Sequence, residues 1–72
     1  MANDPVTNLS VTASSLLEQY KNKNINLQQL KDSVTSRILP TFNTFTADDF
    51  NDSNNEAAHT ISIAIRMVGE PD

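Results

Sequence analysis

Ser53-Asn-Asn-Glu-Ala-Ala-His-Thr-Ile-Ser-Ile-Ala-Ile-Arg-Met-Val-Gly69 is the densest apolar stretch of this 72-residue chain, and it holds the only histidine and the only glycine. Its reading decides the fold. Ser53 and Glu56 stand at the spacing of a capping box, in which each side chain satisfies a free amide of the first turn. Gly69 stands where a helix closes with a left-handed residue, and Pro71 cannot continue the helix. Between these signals Ala57, Ile61, Ala64, Ile65 and Val68 repeat at the spacing of one helical face. Ile61, Ile63 and Ile65 also alternate, as they would in a strand. The caps and the length of the apolar pattern favour the helix.

Ile63 and Met67 leave that face. At about 100° per residue they lie more than 90° from its centre, beside Glu56 and Thr60. The helix is therefore apolar on two sides. Neighbours within one chain can cover both, or Ile63 and Met67 can meet another chain.

The sequence before this helix reads as more helices. Leu9, Ala13, Leu16, Leu17 and Tyr20 share a face and predict a helix over about 10–21, with Lys21 and Lys23 complementing its carboxyl end. Asn26 is a good N-cap, Gln29 follows three residues on, and Ile25 and Leu30 are spaced as a hydrophobic staple. Leu27, Leu30, Val34 and Ile38 then mark the buried face of a helix over about 27–39, ended by Pro40. The short link Asn22–Ile25 predicts an antiparallel hairpin of these two helices. Thr46 and Asp49 form another capping pattern, with Phe45 and Phe50 as its staple. The Asn-rich segment 51–55 favours a break before the last helix.

The expected fold is all-α, a small bundle of three helices (about 10–21, 27–39 and 54–68) with a short helical turn at 47–51. The alternative is a helical hairpin followed by one long C-terminal helix over 47–68, since Phe50 is in phase with Ala57 and Ile61. A flexible arm at 1–8, in which Pro5 blocks regular structure, precedes a single helical domain at 9–69, and 70–72 form a tail.

A core this small supplies only about 3–5 kcal/mol of net stability. With no cysteine and one histidine, neither disulfides nor a structural zinc site is expected to help. Efficient packing or oligomerisation remains, and the second apolar stripe favours the latter. The formal charge of −4, with Lys21, Lys23, Lys31, Arg37 and Arg66 scattered, disfavours nucleic acid. No apolar run approaches the ~20 residues of a membrane span. The first residues lack the basic and apolar regions of a signal peptide, so Asn8 and Asn51 read as chance matches to the glycosylation pattern. The cytoplasm, or a particle assembled in it, is the expected location.

The search for chemistry yields little. The chain offers no glycine-rich phosphate loop, thiol or nucleophile elbow. Glu56-Ala-Ala-His59 matches the Glu-x-x-His spacing of carboxylate-bridged di-iron bundles, but those need two such motifs and further glutamates, for which only Glu18 offers itself. The plainer reading is a capping glutamate and an exposed histidine. Asp48, Asp49 and Asp52 lack the glycine and closing glutamate of a calcium loop and read as favourable charge at helix starts. No catalytic, cofactor-binding or metal-binding residue is expected.

The functional expectation is a non-catalytic interaction or assembly protein, self-associating through its C-terminal helix. A small structural component of a phage or similar particle fits this composition. The expected partner interface comprises Ile63 and Met67, the connector aromatics Phe42 and Phe45, and Asp48 and Asp49. A plug at the open end of the core is the plainer reading of the two phenylalanines. The alternatives are a small acidic inhibitor or regulator of a partner enzyme and, further off, a helix-turn-helix DNA binder.

Overall fold

The structure, a computed structural model, describes residues 4–71. Four α-helical segments follow one another: α1 (Pro5–Lys21), α2 (Leu27–Ser33), α3 (Leu39–Phe42) and α4 (Asn55–Val68). A π-helical turn, Val34–Ile38, joins α2 to α3, so that 27–42 is one helical rod. Two single 3-10 turns, Ala47–Asp49 and Asp52–Asn54, lead into α4. Among the described residues there is no strand, and the chain forms the expected small bundle of three helical rods.

The first helix begins earlier than expected. Asp4 is its N-cap and accepts from the Val6 amide at 3.0 Å, with Pro5 at the first helical position. Proline suits that position, because its fixed φ is helical and the missing N–H needs no partner there. Pro5 therefore opens a helix rather than blocking one, and it brings Val6 into the core as a fully buried residue. Of the expected arm, Pro5–Asn8 is the first turn of α1, while residues 1–3 lie outside the described residues.

The far end of α1 closes in a Schellman motif. The Asn24 amide donates to the Gln19 carbonyl at 2.8 Å and the Lys23 amide to the Tyr20 carbonyl at 3.0 Å. The motif requires a left-handed residue, and Lys23 supplies it at φ 66°. Gly69, expected to take such a conformation, caps α4 at φ −87° and donates to the Arg66 carbonyl instead. The last turn of α4 tightens rather than reversing, so the freedom of glycine is not used.

The capping box at α2 forms as read. The Asn26 side chain accepts from the Gln29 amide at 2.8 Å, and the Gln29 side chain accepts from the Asn26 amide at 2.9 Å. The expected stop before Pro40 is absent. In a regular α-helix the Pro40 ring would press on the Ser36 carbonyl four residues back. The π turn widens the rod there, with the Leu39 amide donating to the Val34 carbonyl five residues earlier. The rod thus passes its proline and runs on to Phe42.

Between Phe42 and α4 the backbone is extended at Phe50 and Asn51. One continuous helix over 47–68 is thereby ruled out. The restart is built differently from the expected Ser53–Glu56 box. Asn51 accepts from the amides of Ser53 at 2.9 Å and Asn54 at 3.2 Å, and Asn54 accepts from the Asn51 amide at 2.9 Å. The reciprocal pair sits two residues early, and Ser53 donates its hydroxyl to Asn51. An asparagine amide, with donor and acceptor on one group, can close this turn and still reach inward, as Asn54 does.

Asn54 is 2% exposed, the one buried polar residue among those described. Its Nδ2 donates to the Asp4 carboxylate at 2.9 Å and to the Asp49 carbonyl at 2.7 Å. It thereby ties the start of α4 to the start of α1, and the two helices run parallel from there. The 27–42 rod descends between their far and near ends. At the far end the Lys31 ammonium donates to the Glu70 carbonyl, fastening the end of α4 to α2. The core between the three rods consists of Val6, Leu9, Ala13, Leu16, Leu30, Val34, Ile38, Ile61 and Ala64.

Three outcomes follow from this architecture. Asn54→Asp removes both donors and sets a carboxylate oxygen against the Asp4 carboxylate and the Asp49 carbonyl. Urea denaturation should show a loss of about 2–4 kcal/mol, whereas a change below about 0.5 kcal/mol would mean that Asn54 is not a structural pin. Asp4 is held below its ordinary value of 3.8, first by the Asn54 amide, against an opposing effect of burial and with help from the amides of Val6 and Thr7. A carboxyl lowered on folding contributes stability above its unfolded value that is lost as pH falls through the folded one. The thermal midpoint should therefore fall with pH below 3.8, and Asp4→Asn should flatten that part of the profile. Lys23→Gly relieves a left-handed side chain and should raise stability by about 0.5–1 kcal/mol, measured as a shift of the urea midpoint. A loss of stability would show that Lys23 carries a contact worth more than the strain.

Candidate functional site

The six residues expected at a partner interface fall on two separate surfaces. Ile63 is 37% exposed on α4. Met67, one turn further on, is half-buried and packs against the rim of the core. Both lie on the flank of α4 that faces α1, above Glu56 and Thr60. Because α1 and α4 are parallel, that flank borders a shallow groove of about 370 Å³ between them, lined by Ser10, Val11 and Ser14 on one side and Glu56, Ala57 and Thr60 on the other.

Val11 is the residue that sequence reasoning passed over. It is 63% exposed, the most exposed large apolar side chain among the described residues. In the sequence it falls off the buried face of its helix and nothing more. Only the parallel pairing of α1 with α4 sets Val11 against Glu56, Ala57 and Thr60, with Ile63 further along the same flank of α4. The lining combines small side chains with the apolar Val11 and the charged Glu56.

The second surface is the end of the bundle where α1 and α4 begin. Phe42, Phe45 and Phe50 meet there with ring centroids 5.9–6.1 Å apart, Phe45 edge to face with each of the other two and Phe42 tilted on Phe50. All three are half-buried and pack against the core. Edge-on contacts of this kind suit the ring quadrupoles, and the three rings close the open end of the bundle. Phe50 completes the group, and its staple spacing with Phe45 was the available signal. Asp49 accepts from the Thr46 amide at 2.7 Å and so belongs to the turn. Asp48 and Asp52 are exposed.

A third feature lies at the opposite end, where α1 hands over to α2. Tyr20, Ile25 and Leu27 are half-buried and floor an open groove of about 680 Å³, with Lys21 and Lys23 exposed at its rim. The Schellman turn exposes the two lysines, and the Asn26 cap turns Ile25 and Leu27 toward the groove.

Glu56 and His59 are both exposed on α4, beside Asn55 and Thr60. Among the described residues no group of three or more histidines, aspartates or glutamates is gathered in metal-binding geometry. Among the same residues no helix is long and apolar enough to cross a membrane. Comparison with protein-family models, with curated proteins and with solved structures returned no match.

Proposed function

We propose that this chain is a non-catalytic assembly protein that pairs with a second copy of itself through the α1–α4 face. The supporting observation is that Val11, 63% exposed, lines the α1–α4 groove with Ser10, Ser14, Ala57 and Thr60, while Ile63, 37% exposed, follows Glu56 and Thr60 on the same flank of α4. A surface that carries both projecting apolar side chains and a hollow of small ones can be self-complementary about a twofold axis, so that each copy fills the other's groove. Burying what remains exposed of Val11 and Ile63, 63% and 37%, is favourable by roughly 1–2 and 0.5–1 kcal/mol. That is a useful increment for a fold with so small a core. Ser10, Ser14 and Thr60 in the groove carry no charge, whereas the exposed Glu56 carboxylate of the same lining has to stay in water or meet a donor of the second copy. A structural role within an assembled particle, in or outside a cytoplasm, is the setting that fits such a chain.

The inhibitor reading has less behind it, because Phe42 and Phe45 are engaged with Phe50 and the core. Sedimentation velocity over a hundredfold concentration range, in about 300 mM salt where contacts between exposed charges are screened, tests the proposal. The unmodified chain should grow in mass with concentration. Val11→Asp and Ile63→Asp should each remain monomeric, keep their far-ultraviolet circular dichroism, and lie within about 0.5 kcal/mol of the parent in stability. An unmodified chain that stays monomeric throughout, or a Val11→Asp chain that associates as the parent does, would overturn it.

A further inference from the structure

The charges of the bundle are divided between its ends. The body measures 34 × 20 × 16 Å, and α1, with 17 residues and so about 25 Å long, lies along its length. Near the start of α1 stand Asp4, Asp48, Asp49, Asp52 and Glu56, with Arg37 the one cation among the described residues, since it shares a depression with Pro5 and Thr41. That end carries a net −4. Near the end of α1 stand Lys21, Lys23, Lys31 and Arg66 with Glu18, Asp32 and Glu70, for a net +1 among the described residues, Asp72 lying outside them. A chain with an acidic sum is therefore electrically polar along its axis.

Each end also holds side chains that the fold does not use. The Asp48 and Asp52 carboxylates are exposed and make no hydrogen bond or ion pair among the described residues. The same holds for the ammonium groups of Lys21 and Lys23. The two lysines flank the groove floored by Tyr20, Ile25 and Leu27. Asp48 and Asp52 stand two residues to either side of Phe50 in the chain, and Phe45 and Phe50, packed on the core, are each half-buried. One end thus offers two cations around an apolar hollow, and the other offers two anions around an apolar edge.

We infer that copies of this chain also stack end to end, the Asp48–Asp52 end of one seating in the Lys21/Lys23 groove of the next. The occupant of the groove is a second copy, because the complementary charges and the apolar edge stand on the same chain. Such a contact is heterologous: it leaves a free groove at one end and a free acidic edge at the other, so it propagates or closes a ring. It involves exposed charges, so it should be strong at low ionic strength and fade as the screening length shortens. It is independent of the α1–α4 face, and the two contacts use different sides of the bundle.

The test uses the full chain carrying Ile63→Ser, which removes the α1–α4 contact from the readout. Two further variants are made in that background. One carries Lys21→Glu and Lys23→Glu; the other carries Asp48→Lys and Asp52→Lys, which takes the formal charge from −4 to 0. Sedimentation velocity is run in about 10 mM and about 300 mM salt, where the screening lengths are about 30 Å and under 10 Å. At low salt the parent should sediment as a growing series of species, at least twofold heavier on average than at high salt. Each variant alone should be monomeric, and an equimolar mixture of the two should regain the parent's behaviour, since the reversed edge fits the reversed groove. The neutral variant decides between specific stacking and general repulsion. Relief of net charge alone would make it associate more than the parent, and that result would overturn the inference. A parent that stays monomeric at low salt, or a mixture that stays monomeric, would overturn it equally.

Discussion

The amide of Asn54 is the constraint on which the rest of this structure depends. Two donors and one acceptor on a single buried side chain hold Asp4, the Asp49 carbonyl and the Asn51 amide together. Each neutral hydrogen bond contributes only about 1 kcal/mol net, but a buried polar group left without partners costs about 1–3 kcal/mol. A core of this size supplies roughly 3–5 kcal/mol in all. The integrity of one asparagine is therefore comparable with the whole margin of stability. The pin also sets direction. It makes α4 start where α1 starts, and only a parallel pair puts Val11 in a groove with Glu56 and Thr60, on the flank of α4 that continues to Ile63.

Much of the fold was legible because it is written in local chemistry. The Asn26 and Gln29 capping box, the 3.6-residue spacing of Leu30, Val34 and Ile38, and the weak helix formers between Phe50 and Asn55 each act within a few residues. The corrections share a different cause. Pro5 and Pro40 were read as breakers, but a proline at the first helical position is favourable, and one inside a rod is tolerated where a π turn makes room. Ser53 and Gly69 are good residues for caps that the chain builds with Asn51 and Asn54 or closes without left-handed geometry. In each case two local solutions were open, and contacts from distant sequence chose between them. Asn54 and Asp4 are fifty residues apart, so no window of sequence shows their partnership.

The candidate surfaces were legible to the same degree. Ile63 could be found from its place off the buried face, and so could the aromatic connector. Val11 could not, because its significance depends on which helix lies beside it. The charge division along the axis was equally hidden. In sequence the five cations are scattered, whereas folding gathers Lys21, Lys23, Lys31 and Arg66 near one end and leaves Arg37 among acids at the other. A small bundle with so few residues to spare for its core keeps two apolar side chains on a flank and unused charges at both poles.

The central claim is that the bundle is already folded alone and that its spare apolar flank is where copies meet. Amide proton–nitrogen correlation spectra, recorded on the labelled chain through a dilution series at moderate salt, test it most directly. The account predicts a dispersed spectrum at every concentration. Dilution should move the amides around Val11, Ser14, Thr60 and Ile63, while those of Asn54 and the core stay still. Spectra that do not change with concentration would contradict the claim. So would spectra that lose dispersion on dilution, because the fold would then depend on assembly rather than precede it.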